Sequence, residues 1–180
     1  MKTKKIVITG GPSTGKSSII NNLKAEGFTC FEEISRQVIL DARKDGINHL
    51  FLEKPLLFSE LLLKGRELQF KDAANSKADF VFLDRGIPDT VAYMDFVNQE
   101  YPETFNTSCK ENTYNYVFVL APWQDIYVQD NERYETFEQA KEIHEALLKT
   151  YKNYNYKLLD VPFGSIKERT NYILNEIKAI

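Results

Sequence analysis

Eight residues near the start of the chain, Gly10-Gly11-Pro12-Ser13-Thr14-Gly15-Lys16-Ser17, constrain its fold more than any other stretch. They follow a β-branched run, Ile6-Val7-Ile8, and precede Ile19, Ile20 and Leu23 at helical spacing. The pattern is G-x-x-x-x-G-K-[ST] set between a strand and a helix. Glycines let the backbone curl so that successive N–H groups face inward, where they grip an anion's oxygens. A helix opening at the end of the loop adds the positive end of its dipole. The lysine then reaches the outer phosphates of a nucleotide, and the last hydroxyl ligates a divalent cation. The sequence therefore predicts a phosphate-binding loop made of Gly10, Gly11, Pro12, Ser13, Thr14, Gly15, Lys16, Ser17 and the adjoining Ser18, with Ser17 on Mg²⁺.

Beyond the loop, short apolar runs alternate with longer segments of helical period. That alternation predicts an α/β domain with a largely parallel sheet, strands falling at 5–9, 28–32, 79–84, 116–120 and 156–161. Phe80-Val81-Phe82-Leu83 and Val117-Phe118-Val119-Leu120 are continuous hydrophobic runs, as expected of strands covered on both faces. Phe58, Leu61, Leu62, Gly65 and Leu68 mark a helix over 55–76. Ala140, Ile143, Leu147, Tyr151 and Tyr154 mark another, opened by the capping pair Thr136 and Gln139. Ser165 and Glu168 open a last helix expected to bury Ile166, Ile173 and Ile177. Segments 45–54 and 98–113 read as polar insertions. With no repeat and no Pro/Gly-rich linker, 1–180 reads as one domain.

Composition narrows the partners. Lys and Arg number 23 against 26 Asp and Glu, so the net charge of −3 carries no footprint for nucleic acid or an anionic membrane. Cys30 and Cys109 cannot by themselves frame a disulfide scaffold or a metal site. The apolar run at 6–8 is too short for a signal peptide, and no stretch reaches transmembrane length, so a cytoplasmic location is expected.

Candidate chemistry gathers at the ends of the apolar runs. Asp84 ends the 79–84 strand and is placed to hold magnesium beside the loop, the metal pair being Ser17 and Asp84. Arg85 follows at the carboxyl edge, where doubly wound sheets bind ligands, and can clamp a phosphate or a substrate. The plain alternative is an Asp84 that caps a turn and an Arg85 that pairs with it. Asp89 is either a first-turn helix residue complementing the dipole or a substrate contact. Glu33, after the 28–32 strand, can accept a hydroxyl proton, and Arg36 one turn on can bind an anion; a solvated helix start is the alternative for both. Residues 123–136 read as a candidate lid, with Arg133 folding over the phosphates or else joining Glu132 and Glu135 in a surface ion-pair network. Trp123 either lines the acceptor pocket or packs at its apolar rim.

Taken together, Thr9-Gly10-Gly11-Pro12, Gly15-Lys16-Ser17, Glu32-Glu33-Ile34-Ser35-Arg36, Leu83-Asp84-Arg85-Gly86-Ile87-Pro88-Asp89, Asn131-Glu132-Arg133 and Asp160-Val161-Pro162 resemble the AAA_28-type P-loop ATPase/kinase-like family. That family is similar to the nicotinamide riboside kinase domain of the bacterial NAD regulator and, more distantly, to nucleoside and nucleotide kinases. The resemblance spans nearly the whole chain. It implies a three-layer P-loop NTPase fold with the five-stranded sheet in the order 2-3-1-4-5. It also implies a catalytic carboxylate at Glu33, the Asp-Arg pair of deoxynucleoside kinases at Asp84-Arg85, and an adenine-side loop from Pro162 to Ser165.

The leading expectation is a Mg²⁺-dependent kinase moving the γ-phosphoryl group of ATP to a small-molecule hydroxyl or phosphate, with Lys16, Glu33, Asp84, Arg85 and Arg133 catalytic. Glu33 or Asp84 serves as the base. The alternatives are a regulatory NTPase switch read by a protein or lipid partner, and a nucleotide binder without catalysis. The chain carries no Asn-Lys-x-Asp guanine-reading motif, which favours ATP over GTP.

Overall fold

The computed structural model describes residues 2–47, 50–127 and 135–179. Strand β1 (Lys4–Gly10) runs through the middle of a five-stranded sheet. On one side lie β3 (Phe80–Asp84) and then β2 (Thr29–Phe31); on the other lie β4 (Tyr116–Leu120) and then β5 (Leu158–Val161). Every pair is parallel, and the order β2-β3-β1-β4-β5 is the one the family resemblance implies. Parallel neighbours need long crossovers, and helices supply them. Helix α1 (Lys16–Ala25) leads from β1 to β2. Then α2 (Ser35–Lys44), α3 (Leu50–Glu53) and α4 (Pro55–Ala74) lead to β3. Helices α5 (Ile87–Phe96) and α6 (Thr104–Glu111) precede β4, α7 (Phe137–Asn153) precedes β5, and α8 (Ile166–Lys178) closes the fold.

Side chains alternate across the pleat. Ile6 and Ile8 of β1 join Phe82, Phe118 and Leu120 beneath α1 and α8, against Ile19, Ile20, Leu23, Ile173 and Ile177. Val7 joins Val81, Leu83, Val117 and Val119 on the other face, against α4, α5, α6 and α7. Two covered faces explain why the central strands read as unbroken apolar runs. Both capping boxes form: Thr136 Oγ1 accepts from Gln139 N at 3.2 Å, and Ser165 Oγ from Glu168 N at 3.3 Å. Among the described residues no helix is long and apolar enough to cross a membrane.

Some expectations need correction. Leu68 of α4 is 60% exposed and Leu61 is also exposed. The buried stripe is instead Phe58, Leu62 and Arg66, with Leu63 beside it. In α8, Ile166 is exposed, and Arg169 and Thr170 occupy the interior with Ile173 and Ile177. Strand β5 begins at Leu158 rather than 156, because Asn155 turns left-handed (φ 62°) and the Tyr156 hydroxyl accepts the Tyr114 N–H at 3.1 Å. The supposed polar insertions contribute buried anchors: Leu50 to a satellite cluster with Phe58 and Leu62, Phe105 and Cys109 to the main core. Burial pushes the Cys109 thiol up to about 12 and Cys30 to about 11, so neither is a nucleophile at neutral pH.

Candidate functional site

The loop between β1 and α1 curls as its sequence requires. Gly10 sits at φ 153° and Gly15 at φ 86°, where side chains are strained. A Cβ on Gly10 would also lie 2.5 Å from the Leu120 carbonyl oxygen, a backbone atom that cannot swing aside. Gly10→Ala should therefore lower stability by about 1–3 kcal/mol and weaken phosphate binding, checked by denaturant melts and by titration with tripolyphosphate. Lys16 folds over its own loop, its Nζ donating to the carbonyls of Gly10 (2.9 Å) and Gly11 (2.7 Å) and toward Thr14 Oγ1 (3.4 Å). Burial, then the charge of Arg85, hold this ammonium below the usual lysine range. Ser17 and Ser18 are exposed at the start of α1, while Pro12 and Ser13 are half-buried.

Strand β3 ends on Asp84, which is 3% exposed and has an Oδ1 with no hydrogen-bond partner among the described residues. Burial raises its carboxyl above the ordinary value, and the attraction of Lys16 and Arg85 only partly offsets this. A buried acceptor atom left open is unusual and costly. With the Ser17 hydroxyl it fits a hard cation that keeps its remaining sites for waters and phosphate oxygens.

Next in the chain, Arg85 takes a left-handed φ of 76° while its N–H donates to the Ile8 carbonyl at 3.0 Å. Its Nε meets Glu33 Oε2 at 2.6 Å, its Nη1 donates to Asp89 Oδ1 at 3.1 Å, and its guanidinium lies 5.5 Å from the Tyr93 ring centre. Glu33 caps α2, its Oε1 accepting the N–H groups of Ile34 (2.9 Å) and Ser35 (3.1 Å). Burial alone would raise the Glu33 carboxyl, but Arg66 and Arg85 outweigh it and hold the group below the ordinary value. Glu33 is thus ionised at neutral pH and partly open to solvent.

Asp89 is fully enclosed. Its carboxylate takes the Gly86 N–H at the start of α5 (2.9 Å), the hydroxyls of Thr9 (2.6 Å) and Tyr151 (2.5 Å), and Arg85. Arg85 thereby joins Asp89 to Glu33. Arg36 is exposed on the first turn of α2, and Pro162 is exposed between β5 and α8. Arg133 lies outside the described residues; around that segment, the Tyr127 hydroxyl donates to the Glu135 carbonyl.

The sequence reading missed Arg66, which is 4% exposed, donates to Thr90 Oγ1 at 2.8 Å and lies 3.3 Å from Glu33 Oε1. The signal was there: Phe58, Leu62 and Arg66 are spaced by four, and an arginine on a buried stripe needs a carboxylate. It also missed Arg169, whose Nη2 donates to the Thr14 carbonyl at 2.8 Å.

The profile of the AAA_28 family, described as an AAA domain, matches residues 5–169. The chain belongs to this family. No curated protein matches it. Among solved structures, this AAA_28 chain is similar to deoxyadenosine kinase from M. mycoides with the products dCMP and a flexible dCDP bound (20% identity, TM-score 0.69, 98% of this chain and 100% of that one). It is also similar to NadR in complex with NR (16% identity, TM-score 0.75), covering 98% of this chain but 50% of NadR. A third likeness is to thymidylate kinase from Candida albicans (19% identity, TM-score 0.66, 99% and 92% covered). Identities this low establish the shared fold: the P-loop architecture of nucleoside and nucleotide kinases.

Proposed function

We propose that this AAA_28 protein is a kinase that transfers the γ-phosphoryl group of ATP to a hydroxyl or phosphate of a small acceptor of nucleoside, nucleotide or nicotinamide-riboside type. The observation that carries the reading is the gathering of charged groups at the carboxyl edge of the sheet: β3 ends on Asp84 beside the strand that leads into the Lys16 loop, and Arg85 Nε lies 2.6 Å from Glu33 Oε2. Lys16 and the loop amides hold the β- and γ-phosphates, Lys16 exchanging its loop carbonyls for phosphate oxygens. Ser17 and Asp84 would hold Mg²⁺, which supplies neutralisation of the phosphate charge. Glu33 accepts the hydrogen bond of the acceptor hydroxyl. The acceptor oxygen bonds to the γ-phosphorus as the bond to the bridging oxygen of ADP breaks, and the hydroxyl proton passes to Glu33. Its depressed pKa suits a late proton transfer, since a loose transition state asks little of the base. Arg85 and Arg66 keep that carboxylate ionised and aimed.

Incubation with ATP, Mg²⁺ and a panel of nucleosides, nucleotides, nicotinamide riboside and sugars tests this, with products read by mass. Acceptor-dependent product that disappears in Glu33→Gln and Asp84→Asn is expected. Slow hydrolysis indifferent to every acceptor would overturn the kinase reading and favour a nucleotide switch.

A further inference from the structure

Helix α8 packs a stripe of Ile173, Leu174 and Ile177 into the core, and its first turn continues that stripe with a charge. Arg169 stands one turn before Ile173 and is 3% exposed. A buried arginine ordinarily meets a carboxylate. This one has no carboxylate partner among the described residues. The adjacent acid, Glu168, is turned back onto Ser165, accepting its N–H at 2.8 Å and its hydroxyl at 2.7 Å. The Arg169 Nε has no hydrogen-bond partner among the described residues either. Burial pulls the guanidinium pKa below its usual value. An uncompensated buried cation weakens a fold, so stability does not account for its place.

What the guanidinium touches is the phosphate loop. Its Nη2 donates to the Thr14 carbonyl at 2.8 Å, across 155 positions of sequence. Its Nη1 sits so close to Gly15 that a Cβ there would meet it at 2.7 Å. The Trp123 ring centre, 5.9 Å away, offers a π face but no counter-charge. The Thr14 carbonyl and the Gly15 N–H belong to one peptide unit, and no cis bond is present among the described residues. In a trans peptide these two groups point opposite ways. Holding the carbonyl toward α8 therefore aims the Gly15 N–H away from α8. Gly15 sits at φ 86°, and a glycine takes either sign of φ readily, so without a tether this peptide is free to turn over.

We infer that Arg169 is a positioning residue of the phosphate loop: it locks the Thr14–Gly15 peptide so that the Gly15 N–H faces the bound phosphates, whose charge supplies the counter-ion this cation lacks. The inference rests on the functional reading only in taking a polyphosphate at the loop, and no transfer step enters it. Lys16 meets the phosphates with its own ammonium, whereas Arg169 acts from behind the loop through a backbone amide. A preorganised amide dipole costs no reorganisation when the anion arrives.

Tripolyphosphate, which carries no base, is the probe. Followed by NMR, its titration into the parent protein should move the Gly15 amide proton downfield as that N–H donates to a phosphate oxygen. Arg169→Met, with an unbranched neutral side chain, should weaken tripolyphosphate about tenfold or more by calorimetry and shrink the Gly15 shift. Its melting temperature without ligand should stay level or rise, because an unpaired buried charge has gone. Arg169→Lys, which returns the charge and a donor, should recover most of the affinity. Unchanged tripolyphosphate affinity in Arg169→Met would make the arginine a mere anchor for α8 and overturn the inference. So would a Gly15 amide in the parent protein that ignores bound tripolyphosphate, a result read without any variant and decisive even if Arg169→Met does not fold. Both outcomes leave the kinase reading standing. The expected effects on tripolyphosphate, with no acceptor phosphorylated, would overturn the kinase reading alone. A protein that binds neither ATP nor tripolyphosphate would overturn both.

Discussion

Asp89→Ala should lower the unfolding free energy by about 3–5 kcal/mol, measured by urea denaturation. The carboxylate is 0% exposed, and truncation strands several groups at once. The hydroxyls of Thr9 and Tyr151, both buried, lose their acceptor, as does the Gly86 N–H that starts α5. Arg85 loses one of its two carboxylates. Asp89→Asn keeps the volume and part of the hydrogen bonding, so its loss should be smaller. Burial alone would raise the Asp89 carboxyl, but Arg85, Arg66 and the Thr9 and Tyr151 hydrogen bonds hold it below its ordinary 3.8. A depressed folded pKa stabilises above the ordinary value and is lost as pH falls through the folded one. Glu33 is depressed in the same direction. Stability should thus fall off in acid below about pH 4, and less steeply in Asp89→Asn. An Asp89→Ala loss under about 1 kcal/mol would mean the carboxylate is not the strut between β1, α5 and α7.

How much of this was legible beforehand depended on whether a residue's role was local. The loop was readable because its glycines answer to their own backbone angles, and the capping boxes because both partners lie within one turn. The sheet's interior was readable because Phe80–Leu83 and Val117–Leu120 leave no polar face. Asp84 and Arg85 were found by position at a strand end. Side-chain partners far apart in sequence were another matter. Glu33 owes its ionisation to Arg66 and Arg85, 33 and 52 positions away, and no spacing rule pairs them. Asp89 was ambiguous for the same reason: Thr9 and Tyr151, which settle its surroundings, come from opposite ends of the chain. Of the α4 stripe, Phe58 and Leu62 are buried as read, but Leu61 and Leu68 are exposed, because burial chose the face carrying Arg66. Phe105 and Cys109 were hidden within a polar composition and found their core only through packing.

Lys16→Ala should separate stability from activity, the two moving in opposite directions. In the unliganded protein the ammonium is buried, with burial and Arg85 both lowering its pKa. A group whose folded pKa is depressed in this way burdens the fold whenever it is protonated, and its loop carbonyls compensate only in part. Removing it should leave the melting temperature unchanged or raise it. The same charge is what the phosphates need. Deleting one preorganised donor at a site of developing charge typically costs about 10²–10³ in rate, and Lys16→Ala should reduce kcat/KM by at least that much. The melting-temperature rise expected on adding ATP and Mg²⁺ to the parent protein should disappear together with it, because ligand stabilisation scales with affinity for the folded state. Asp84→Asn should resemble it in activity, because the Oδ1 that has no hydrogen-bond partner among the described residues is the atom offered to the cation. If Lys16→Ala instead melted well below the parent protein, the lysine would be a strap holding the loop closed, and if kcat/KM and the ATP shift were also retained, its place in phosphoryl transfer would have to be given up.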